Sequence, residues 1–132
     1  MSESIFSSSW YRVAEIKPLL RTHSRIHRHE YMGEIWFVLQ DPLSGRFYRF
    51  SPSVHQLIGL FDGKRSVNEA WELAAEQLGD EAPNQEEVIR LLSQLHAADM
   101  LQTDVPPDSL ELFQRYQKQE RMRWKQRFWS PL

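Results

Sequence analysis

The sequence predicts an α+β fold: a three-stranded antiparallel sheet followed by three helices, with a C-terminal helical extension. Three observations predict it. From Ser24 to Ser51 the apolar residues alternate, with breaks at Gly33 and at the cluster Asp41-Pro42-Leu43-Ser44-Gly45. From Ser51 onward the apolar spacing becomes helical. Each helical stretch opens on a residue able to cap it.

The strands come first. Residues 24–32 and 34–40 flank Gly33, a natural turn position, and a third strand over 46–51 follows the Pro- and Gly-bearing cluster. Ile35, Phe37 and Leu39 share one face of the second strand, with Trp36 and Val38 on the other. In the third strand Arg46, Tyr48 and Phe50 share a face, which leaves Phe47 and Arg49 on the less buried side.

Ser51-Pro52 starts the first helix, with Ser as N-cap and Pro at the first helical position. Val54, Leu57, Ile58 and Phe61 form its apolar stripe, and Asp62-Gly63 ends it. Ser66-Val67-Asn68-Glu69 is a capping box for the second helix. Val67, Ala70, Trp71, Ala74 and Leu78 are its buried positions, and Gly79 closes it. The third helix opens at Asn84-Gln85-Glu86-Glu87 and buries Val88, Leu91, Leu92 and Leu95. After Val105-Pro106-Pro107, Asp108 and Glu111 are placed to cap a fourth helix toward Trp124, with a thin stripe of Leu110, Phe113 and Tyr116. This order of elements is winged-helix-like. It divides the chain into a lead-in over 1–23 that packs on the domain, the domain over 24–104, and a basic extension over 105–132.

At 132 residues, with 41% hydrophobic residues and 12% aromatics, the chain is sized for one domain with a core. No segment reaches the roughly 18 apolar residues of a membrane span, and the first twenty residues lack a secretory signal. The absence of cysteine removes disulfides and thiolate metal sites and fits a cytoplasmic setting. The net charge of −2 is uneven: residues 1–113 carry 10 Lys/Arg against 17 Asp/Glu, and residues 114–132 carry 6 against 1. An acidic body with a basic tail suits a position beside a membrane.

Catalytic chemistry finds no footing. His29-Glu30 continues as Tyr31-Met32-Gly33, so the second histidine of a zincin motif is missing. His27 and His29 share a strand face and would need His23 to make even half a metal site, so they read as exposed strand histidines. There is no serine elbow, no phosphate-binding glycine loop and no cofactor motif. Nucleic-acid binding is disfavoured too. The helix that would enter a groove begins among Asp80, Glu81, Glu86 and Glu87, which opposes the counterion release that drives such binding.

An open sheet edge remains. A three-stranded meander leaves its third strand unpaired on one side, and an extended peptide can add there as a further strand. Phe47 and a second ridge on the third helix (Ile89, Leu92, His96) are candidates to line one groove, with Arg46 and Arg49 as rim charges. The alternative for Ile89 is burial beneath residues 10–20 or beneath the fourth helix. The same open edge offers a route to a homodimer.

The stretch GRFYRFSPSVHQLIGLFDGKRSVNEAWELAAEQLG, followed by EEVIRLLSQLHAADML, resembles the PqqD-like family of peptide-recognition domains, the RiPP recognition elements. That resemblance covers about 24–102 and implies a non-catalytic domain whose peptide docks between the third strand and the third helix. Carried onto this sequence, the groove is Arg46 to Phe50 with Gln85, Ile89, Leu92 and His96. The flanks WYRVAEIKPLLR and VPPDSLELFQRYQKQERMRWKQRFWSPL resemble the cytoplasmic N-terminal part of membrane-bound site-2-type (M50-like) peptide zinc metalloproteases. The sequence reaches Leu132 before any span or H-E-x-x-H. A Lys/Arg cluster there suits a segment just ahead of a span on the cytoplasmic face of the inner membrane, with Trp124, Phe128 and Trp129 at the interface. A free-standing peptide chaperone is the other reading.

Overall fold

Strands β1 (Ile26–Tyr31), β2 (Glu34–Gln40) and β3 (Phe47–Phe50) form an antiparallel sheet in the order β1-β2-β3. The computed structural model describes residues 5–21, 26–40, 45 and 47–129, the last of these as backbone only at 121 and 123–129. Helices α1 (Pro52–Ile58), α2 (Val67–Leu78), α3 (Gln85–Ala97) and α4 (Pro107–Trp129) follow. The expected α+β class and its C-terminal helical extension are therefore both present.

Met32 and Gly33 join β1 to β2 with φ of 52° and 80°. Two successive positive φ angles mark the tight hairpin loop whose twist matches that of its strands. The register then decides the faces. Phe37 pairs with Phe50 and Leu39 with Tyr48, so these four share the inner face, while Val38 pairs with Arg49 and Gln40 with Phe47 on the outer face. Leu39 and Phe50 enter the core with Leu57, Val67, Ala74, Val88, Leu92 and Leu95.

Helix α1 is shorter than its apolar stripe. It ends at Ile58, and Phe61 still enters the core from the turn beyond it, 5% exposed. Ser51 caps α1 as expected. Both predicted boxes form: Ser66 with Glu69, and Asn84 with Glu87.

The lead-in is built into the core between Trp10 and Ile16. Trp10, Val13, Ala14 and Ile16 are buried, whereas Tyr11 is 75% exposed and Leu19 lies at the surface. The reason lies in the helix termini. The first amides of a helix have no partner within it, and here the lead-in supplies carbonyls to α2. Val67 N donates to Ile16 O at 2.8 Å and Asn68 N to Ala14 O at 3.0 Å, while the Trp10 indole donates to Asn68 Oδ1 at 2.8 Å. Further along, Gly63 N donates to Pro18 O and Gln102 N to Leu19 O.

Helix α4 runs antiparallel to α3 and buries a face one step round from the expected one. Ser109, Leu112 and Phe113 are buried and Tyr116 half-buried, while Leu110 is only partly covered. Phe113 meets His96, Gln117 donates to Ser93 O and Arg90 faces Glu120, in descending order along α3. Among the described residues no helix is long and apolar enough to cross a membrane.

Candidate functional site

One of the two edges of the sheet is β3. Among the described residues it pairs only with β2. Phe47 stands on the outer face and is 65% exposed, a large apolar side chain on an edge that has room for another strand. Two places along, Arg49 holds its guanidinium 5.5 Å from the centre of the Trp36 ring. That cation–π contact fixes the charge above the outer face, where Val38 is half-buried. Arg46 lies outside the described residues.

The α3 half of the expected groove is covered by the chain itself. Ile89 and Leu92 have no exposed surface, and Gln85 is 4% exposed. Gln85 N donates to Ile5 O at 3.0 Å, and Ser7 N donates to Gln85 Oε1 at 2.7 Å. His96 lies 5.7 Å from Phe113 of α4, ring centre to ring centre. The structure thus brings Gln85, Ile89, Leu92 and His96 onto one continuous ridge of α3, but does not join Phe47 to it. Phe47 points from the sheet face opposite to the one that carries Leu39 and Phe50 into the core.

The α3–α4 contact is incompletely satisfied. Among the described residues Ser93 Oγ and His96 Nδ1 are buried without a hydrogen-bond partner. A buried polar atom left unpaired costs stability, so α4 is seated at a cost on this stretch of α3. At its other end α4 is fastened: Arg12 bonds Asp108 at 3.0 Å and also Glu111, and Ser109 Oγ donates to Arg12 O. The Arg12 hydrogen bond holds the Glu111 carboxyl below its ordinary range.

On the remaining faces, His27 and His29 lie opposite Val38 and Trp36, both exposed on the outer side of the sheet. His23 lies outside the described residues, as do the side chains of Trp124, Phe128 and Trp129. No group of three metal-ligating side chains occurs among the described residues. His55 of α1 stacks on Phe37 with ring centres 3.7 Å apart and planes 6° from parallel, and burial lowers its pKa. Sequence reasoning missed the role of Ile5–Ser7, because nothing in Ile-Phe-Ser marks a segment held mainly through its backbone.

Residues 37–101 match the family model described as coenzyme PQQ synthesis protein D (PqqD). That match runs from within β2 through α3 to Leu101 and covers just under half of the chain. No curated protein and no solved structure matches the chain.

Proposed function

We propose that this chain is a non-catalytic peptide-recognition domain that takes up an extended segment as an added strand along the outer edge of β3. The PqqD match over β2, β3 and α1–α3 carries this reading. The geometry adds an edge strand that pairs only with β2 among the described residues, with Phe47 exposed and Arg49 poised over Trp36. Backbone hydrogen bonds from the guest to β3 would supply affinity, and Phe47 and Arg49 would select its side chains. The α3 ridge becomes available only when the segments covering it move.

Selection of linear peptides from a displayed random library against the folded domain tests this. Selected peptides are expected to lose binding to Phe47→Asp and Arg49→Glu variants that unfold at the wild-type temperature. Selected peptides indifferent to both substitutions contradict the β3 assignment.

The domain limits 24–104, the placement at the cytoplasmic face of a membrane and the M50-like context belong to the same proposal. The support for the membrane placement and the M50-like context is the run of basic residues over 115–127 along α4. Reading the native gene beyond the codon for Leu132 tests them: apolar spans and an H-E-x-x-H motif support the context, and an immediate stop codon removes it.

A further inference from the structure

We infer that the corner formed by Trp71, Pro83 and Gln85 is a second extended-peptide site, filled in this chain by its own residues Ile5–Ser7. This inference concerns the Gln85 end of the α3 ridge, on the side of Trp71 and Pro83, and does not require a peptide at the β3 edge.

The corner treats Ile5–Ser7 as a guest. One residue of α3, Gln85, grips the segment on either side of Phe6, donating its amide to Ile5 O and accepting from Ser7 N with its side chain. Both bonds are to backbone, so they are independent of the guest's sequence. Gln85 is itself 4% exposed, which puts its carbonyl oxygen in a place where an unmet acceptor would be costly. The Phe6 ring approaches Trp71 edge-on at 6.1 Å, and the Trp71 indole is fixed by its 2.9 Å bond to Pro83 O and by Trp10 at 5.5 Å. The aromatic floor therefore has a set orientation.

The occupant is lightly held. Ile5 is 54% and Phe6 66% exposed, in contrast to Trp10, Val13 and Ile16, which are buried just downstream. A segment can therefore leave the corner while the chain from Trp10 onward stays packed. The chain on either side of Pro83 and Gln85 is acidic: Asp80, Glu81, Glu86 and Glu87 are all exposed, and while Glu86 faces Arg90 and Glu87 accepts from Asn84 N, no ion pair is recorded for Asp80 or Glu81 among the described residues. Residues 5–9 carry no charge with which to answer them. The guest that fits better is an extended peptide with an aromatic residue and a Lys or Arg close by. The internal segment then acts as a competitor that such a peptide displaces.

The test uses the full chain carrying Phe6→Ser and Ser7→Pro, which remove the aromatic contact and the amide donor. The probe is a synthetic peptide of sequence SESIFSSS, followed by amide and indole NMR shifts. The double variant is expected to bind it saturably, with shifts at the Gln85 amide and the Trp71 indole, and adding Gln85→Met is expected to abolish this. The wild-type chain should bind about tenfold more weakly or worse, because its site is open only part of the time. A probe with Ser8→Lys should bind the variant more tightly, and about 1 M salt should erase that gain. A folded double variant that shows no saturable shift overturns the inference, as do shifts confined to residues 47–50. If the double variant does not fold, Phe6→Ser alone replaces it, with the same outcomes.

Discussion

Arg12 and Asp108, 96 positions apart, meet at 3.0 Å, and the same guanidinium also reaches the carboxylate of Glu111. This junction ties the lead-in to the first turn of α4, where a carboxylate is also favoured by the helix dipole. Arg12→Met is expected to release that turn. Hydrogen exchange across 108–117 should then accelerate while α2 stays protected. Unchanged exchange in α4 would mean that packing of Leu112 and Phe113 alone holds it.

Ser93→Ala removes the hydroxyl that has no partner among the described residues, without opening a large cavity. It is expected to raise stability by about 1 kcal/mol, measured by urea unfolding. A destabilisation of that size would show that the hydroxyl has a partner in solution.

Ile89→Ala and Phe47→Ala should behave oppositely. Ile89 has no exposed surface, so its truncation is expected to cost about 2–5 kcal/mol. Phe47 is largely exposed, and its truncation should stay within about 0.5 kcal/mol. Equal losses would contradict the inward and outward faces assigned to these residues.

The dependence of stability on pH has a definite sign. Burial lowers the pKa of His55 in the fold, below its ordinary 6.5, so the folded chain holds this proton less well than the unfolded one. The contribution is complete above pH 6.5 and is lost as pH falls through the lowered folded value. Glu111, held low by Arg12, and Asp62, held low by the Arg65 and Lys64 amides, add a second loss as pH falls below about 4.5 and 3.8. Thermal unfolding between pH 8 and pH 3 checks both, and His55→Phe should flatten the upper step alone.

Much of this architecture was legible because local rules and tertiary needs agree. Ser51, Ser66 and Asn84 each sit where a cap must be, and the alternation in β2 and β3 sorted Tyr48 and Phe50 from Phe47 correctly. Where they part, reading failed in a physical way. The stripe Leu110, Phe113, Tyr116 put α4 slightly out of rotation, because Ser109 is buried in order to bond Arg12 O, and a buried serine carries no apolar signal. The covering of α3 was left open between two outcomes for Ile89. It is set by Ile5–Ser7, whose Ser7–Gln85 bond spans 78 positions, and by α4, whose Gln117–Ser93 bond spans 24, and neither has a local signature. The edge role of β3 was readable, since a meander of three strands has only two edges.

The most direct test of the central claim is backbone hydrogen exchange on the complex with a library-selected peptide. The account predicts that amides of Phe47–Phe50 gain protection, in the alternating pattern of an added strand. Protection that appears only on α3 or α4, with β3 unchanged, would contradict it.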